Sequence, residues 1–308
     1  MINRVLIRIR IIQILYSMYI NQSGDLRKAE NELIFSFQKS YDLYYYLLLL
    51  LIELTDLYSR RIESRKSKLL PTEEDINPNT HLIDNLFIKQ LRGNEQLNKY
   101  LSDRPLSWDD NENYVKSLLD KILQSETYQE YANNPKTDYD TDREFWRKIF
   151  KSFIYCDEQL DDVLEDESLF WNDDVEIIQS FVLKTIKKFD LSKNEKQELL
   201  PMFKDEEDRV FATKLLRETM LNVKTARDMI DKYARNWESE RIAFMDKVIM
   251  QTAISEIITF PEIPISVTLN EYINIAKTYS TNKSSSFING ILDAVVAELK
   301  NENKLLKK

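Results

Sequence analysis

Glycine is nearly missing from this chain: 3 glycines and 7 prolines in 308 residues, both well below ordinary usage. So few turn residues exclude a fold of many short strands and predict long helices, hence an all-α protein. One cysteine (Cys156) and one histidine (His81) are present. An intrachain disulfide framework is excluded, and a Cys/His zinc site lacks its ligands. A Ser/His/Asp triad would rest entirely on His81, which reads as a surface residue near a helix start. Gly24, Gly93 and Gly290 lie too far apart to form a phosphate-cradling loop. Arg4, Arg8 and Arg10 interrupt any apolar stretch that could serve as a signal peptide. Tyr44–Ile52 is an apolar and aromatic run of nine residues, against the ~20 a spanning helix needs. It reads as a buried helical segment. These exclusions leave a cytoplasmic, non-enzymatic protein with no cofactor, no metal and no membrane partner as the expectation.

Charge is distributed unevenly. The net value is −9, but residues 71–205 carry 17 Lys and Arg against 30 Asp and Glu, while residues 1–70 carry 11 against 7. Residues 206–308 are balanced at 15 each. An acidic total argues against a protein that coats DNA or RNA indiscriminately and leaves room for a local basic site.

Apolar spacing predicts a first helix over 2–20, with Arg4 and Arg8 one turn apart and pointing outward together. Asp25 caps a long second helix from Leu26 towards Lys68, whose end is basic. Further helices are predicted at 80–101, 108–131, 142–166, 172–189 and 194–203, then two helices with a junction near Asn222. Pro261 and Pro264 end a helix at 238–259. Ser266 or Thr268 caps the next, and Thr268 and Glu271 have capping-box spacing. The last helix opens at Ser284–Ser286. Gly290 inside it costs ~1 kcal/mol relative to Ala, a cost that close approach of another helix would offset.

Most constellations for chemistry fail. The acidic run Asp157–Glu167 lacks the histidines of a di-iron bundle and reads as a solvated helix face. Asp138, Asp140 and Asp142 begin like a calcium loop, but Arg143 stands where glycine is needed and Ile149 where the bidentate glutamate belongs. Cys156 reads as buried and inert. Recognition fares better. Arg4, Arg8 and Arg10, with Gln13, supply donors suited to phosphate. Ser280–Ser286 offers hydroxyls, an amide, a cation and a helix N-terminus, which favours anions. Phe287 either stacks on an unpaired base or packs in the core.

Several ordered motifs now converge: Asn236-Trp237 with Arg241-Ile242; Met245-Asp246-Lys247 with Ile249; Ile263-Pro264; Val267 to Lys277 with Leu269-Asn270-Glu271; and Ser286-Phe287-Ile288-Asn289-Gly290 with Asp293. Together with Arg8, Arg10, Gln13 and Leu15-Tyr16, they make the chain resemble the NusB family of transcription antitermination factors. The resemblance implies an all-helical pair of bundles with an extended N-terminal half. Residues 1–235 would form the N-terminal subdomain, including a long acidic helical insertion at about 71–205, and 236–308 the C-terminal one. It implies binding of single-stranded boxA-type RNA from nascent ribosomal transcripts together with the ribosomal protein NusE, and indirectly with other Nus factors and RNA polymerase. The implied RNA contacts are Arg4, Arg8, Arg10, Gln13, Asn282, Lys283, Ser284, Ser285 and Phe287. The implied partner contacts are Glu256 at the helix surface, Ser255 and Arg241. Lys283 stands where the family often has an acidic residue, and Ser255 where it has tyrosine. Two other readings are a protein-only scaffold working through the acidic insertion and the NusB-type domain of a ribosomal RNA methyltransferase. The methyltransferase reading requires a glycine-rich cofactor domain that these residues do not carry.

Overall fold

The computed structural model describes residues 1–135, 138–155, 157–234, 242–281, 283–302 and 305. In chain order its helices are α1 (Arg4–Ile20), α2 (Leu26–Lys66), α3 (Glu73–Ile76), α4 (His81–Asp84), α5 (Leu86–Gly93), α6 (Glu95–Asp103), α7 (Glu112–Gln124) and α8 (Glu126–Ala132). There follow α9 (Tyr139–Ile149), α10 (Glu158–Glu167), α11 (Val175–Lys188), α12 (Glu206–Leu221), α13 (Val223–Tyr233), α14 (Phe244–Thr259), α15 (Ile265–Tyr279) and α16 (Ser284–Asn301). The fold is all-α. Among the described residues the only β feature is an isolated bridge between Ile2 and Phe203. No described helix is long and apolar enough to cross a membrane.

The chain forms two compact units, one of Met1 with Gln38–Met202, the other of Ile2–Phe37 with Phe203–Lys308. In the first unit the run Leu43–Ile52 of α2 is buried along its whole length. Its aromatic residues are anchored by polar contacts: the Trp108 indole donates to the Tyr46 carbonyl at 3.0 Å, and Trp108 and Tyr46 stack at 4.0 Å. Asn85, Asn94 and Ser125 divide the expected longer helices into α4–α6 and α7–α8. Each accepts a backbone N–H at the start of the following helix, as short polar side chains do at N-caps. A helix over 194–203 is not formed: Leu191–Lys196 is a 3-10 segment and Gln197–Met202 contains no helix. Asn194 has φ 45° and ψ −138°. The Gln90 amide donates to the Asn194 carbonyl at 2.8 Å and the Asn94 amide to the Gln197 carbonyl at 2.7 Å. Side chains of the α5–α6 region thus take carbonyls that a helix would have used.

In the second unit α14 is the central element. Every residue from Val248 to Ile257 is buried, and α1, α12, α13, α15 and α16 pack around it. A helix apolar nearly all round belongs in a core. α15 opens directly after Pro264, whose missing N–H is no loss at that position, with no side-chain cap. The expected Thr268–Glu271 capping box is therefore absent. Thr268 lies inside the helix and is fully buried. Gly290 also departs from expectation: it is exposed, and a Cβ there would meet nothing within 4 Å. Among the described residues no helix approaches it closely.

Candidate nucleic-acid interface

α1 runs antiparallel to α14, because its first turns meet the last turns of α14 and its last turns meet the first. Arg8 is 2% exposed and Glu256 fully buried. The Arg8 Nε donates to Glu256 Oε2 and Nη2 to Oε1, both at 2.8 Å. From α15, Thr268 Oγ1 donates to Glu256 Oε1 and the Tyr272 hydroxyl to Oε2, both at 2.9 Å. Thr268 and Tyr272 are one turn apart, so one face of α15 supplies both donors. The carboxylate thereby accepts four hydrogen bonds, which offset the removal of its charge from water. Burial alone would lower the Arg8 pKa, but the hydrogen bonds to Glu256, with Tyr272 and Glu271 nearby, raise it above its ordinary value. Burial first, and then the Glu256 charge, hold the Tyr272 phenol well above its ordinary range. The guanidinium also lies 5.4 Å from the Phe211 ring, in cation–π range.

The outward pair of arginines expected on α1 is therefore not seen. Arg8 faces the core, and Glu256, expected at a helix surface, is its partner there. Arg4 is partly exposed and pairs with Asp208 at 3.0 Å. Arg10 is 4% exposed and donates to Gln13 Oε1 at 2.9 Å, leaving Gln13 half-buried. Ser255 is fully buried, and its hydroxyl has no hydrogen-bond partner among the described residues. Arg241, Asn282, Cys156 and the Asn236-Trp237 pair lie outside the described residues.

The corner before α16 is organised by hydroxyls. Ser280 donates to the buried carboxylate of Asp246 in the first turn of α14. Ser284 meets Ser280 at 3.0 Å and Thr281 at 2.7 Å, and is itself buried. Lys283 is exposed at the cap position of α16, where no described side chain caps the helix. Ser285 and Phe287 are half-buried. Phe287 sits at the edge of a buried stripe formed by Ile288, Ile291, Leu292, Val295 and Leu299.

Arg8 and this corner are not brought together. Their contacts on α14, Glu256 and Asp246, are separated by about 15 Å of helix rise. The part of α1 that shares the corner's end of α14 is its last two turns: Tyr16 and Tyr19 pack against Phe244 with ring centroids 5.3 and 6.3 Å away. These three aromatics are surface candidates that helical spacing alone did not single out. Tyr16 and Tyr19 are spaced three apart near the polar end of a helix, a signal that both readings, core and surface, share.

A compact helical unit with a buried ionic centre, a cationic corner and half-exposed aromatics belongs to the class of all-α bundle proteins. Comparison with known proteins gives the family. The NusB family model matches residues 173–297. The transcription antitermination protein NusB of Salinibacter ruber is 40% identical over 108 residues, 35% of this chain and 68% of its own length. That of Chloroherpeton thalassium is 43% identical over 97 residues, 32% of this chain and 46% of its own. That of Thermodesulfovibrio yellowstonii is 42% identical over 98 residues, 32% of this chain and 65% of its own. A solved structure of T. maritima NusB matches at 31% identity, covering 40% of this chain and 87% of its own, with a TM-score of 0.31. The chain belongs to the NusB family.

Proposed function

We propose that this protein is a non-enzymatic transcription antitermination factor that binds boxA-type single-stranded RNA of nascent ribosomal transcripts together with NusE. The observation that carries the reading is the α16 corner, where an exposed cation sits beside a half-exposed ring at a helix N-terminus that no described side chain caps. Such a terminus leaves backbone N–H groups free for an anion, and a ring offers a stacking surface for a base. Lys283, Ser285 and Phe287 are the RNA contacts in this proposal, joined by Gln13 and by Arg4 where its edge is open. Arg8 and Arg10 act as positioning residues that fix α1, and Ser284 fixes the corner. Glu256 and Ser255 contribute to partner binding through the packing of α14 and α15, not by direct contact. Other Nus factors and RNA polymerase would be reached through the assembled complex.

The test is a binding titration with a short boxA-type RNA, with and without NusE. The proposal expects RNA binding that tightens when NusE is present and weakens in Lys283→Glu. Binding that ignores both NusE and Lys283 would overturn it.

A further inference from the structure

Beside the α16 corner, the NusB-like unit contains a cavity of about 340 Å³ between α1, α13 and α14. Tyr19, Arg227, Asp231, Phe244, Lys247 and Gln251 line it. Arg227 and Asp231 stand one turn apart on α13, a spacing at which opposite charges ordinarily pair on a helix surface. No ion pair between them is seen among the described residues. The Arg227 guanidinium lies 5.5 Å from the centre of the Tyr19 ring instead. Gln251 is 2% exposed, and its amide nitrogen is spent on the Tyr19 hydroxyl and the Thr219 carbonyl, which fixes the cavity's inner wall. Phe244 stands edge-on to Tyr19 at 77° and is 36% exposed.

This combination is the inventory a nucleotide requires. A half-exposed ring and a guanidinium plane accept a flat base, since every base has a π-face. Two cations from different helices accept a phosphate. The Asp231 carboxylate accepts hydrogen bonds from a base edge or a ribose hydroxyl. The volume lies at the small end of ligand sites and excludes a structured RNA element. We propose that this cavity is a single-nucleotide site, taking either one unpaired base of a bound RNA strand or a free mononucleotide. Its assignment to an RNA base rests on the RNA-binding reading above; the nucleotide chemistry does not.

The experiment measures binding of a short boxA-type RNA, and separately of GMP and AMP, to the full chain and to the variants Phe244→Leu, Phe244→Trp, Arg227→Gln and Lys283→Glu. All three positions are exposed, and an unfolding midpoint for each variant reports retained folding. The site predicts roughly tenfold weaker binding of its ligand in Phe244→Leu and in Arg227→Gln, with binding kept in Phe244→Trp because any ring can stack. If RNA binding responds to Lys283 but not to Phe244 or Arg227, and no mononucleotide binds, the cavity proposal falls and the RNA reading stands. If a mononucleotide binds through Phe244 and Arg227 while RNA does not bind, the cavity stands and the RNA reading falls. If neither ligand binds, both fall.

Discussion

With Nε and Nη2 committed to Glu256, the Arg8 guanidinium is a structural fork joining the start of α1 to the end of α14. Replacing it with methionine leaves a fully buried carboxylate served only by Thr268 and Tyr272. Breaking a buried pair in this way costs about 3–5 kcal/mol, and Arg8→Lys recovers little because an ammonium cannot make the two-pronged contact. Urea unfolding of Arg8→Met and Arg8→Lys checks this; midpoints equal to the parent's would show that the pair contributes nothing. The burial of Arg8 was legible in one respect: its immediate neighbours Ile7 and Ile9 are apolar, and Glu256 is followed by Ile257 and Ile258. What a single sequence does not provide is the pairing, since the two residues are separated by most of the chain and meet only through the fold.

At the level of elements, most helices were readable from spacing, while one expected helix and several boundaries were not. Asp25 does cap α2, accepting from the Lys28 N–H at 3.1 Å, because that interaction is local. The segment 194–203 misled because its composition suits a helix while its carbonyls are taken by Gln90 and Asn94, about a hundred positions earlier in the chain. Thr268 misled for a similar reason: capping spacing was present, but Glu256 recruits the hydroxyl. Gly290 gives the most direct test at this scale. Its position in α16 is helical, exposed and open, so Gly290→Ala should stabilise the protein by about 1 kcal/mol. Chemical denaturation of the two proteins measures it; destabilisation would mean that something approaches Gly290 after all.

At the scale of the whole molecule, charge and tyrosine chemistry differ between regions. Residues 38–202 carry 22 Lys and Arg against 33 Asp and Glu, whereas residues 1–37 with 203–308 carry 21 against 19. The unit that holds the α16 corner is therefore the one whose balance suits a polyanion. Among the 16 tyrosines, the buried Tyr44, Tyr45, Tyr46, Tyr114, Tyr128, Tyr131, Tyr139 and Tyr272 have their pKa raised, with burial the largest cause in each. Unfolded, these phenols ionise near pH ~10. Folded, they keep their protons to higher pH, so above that point the native state binds more protons than the unfolded one. The stability they contribute is fully present below pH ~10 and is lost as pH rises towards the folded values. Tyrosinate absorbance should then appear in step with loss of helical circular dichroism; full ionisation with the helices intact would contradict this. The central claim, that the α16 corner meets RNA while Arg8 holds the fold, is tested most directly by the salt dependence of boxA-type RNA binding in Lys283→Glu and Arg8→Lys. The account predicts that Lys283→Glu flattens the slope of log K against log salt by roughly 0.7, the value of one single-strand phosphate contact, while folded Arg8→Lys keeps the parent's slope. A flattened slope in Arg8→Lys with none in Lys283→Glu would contradict it.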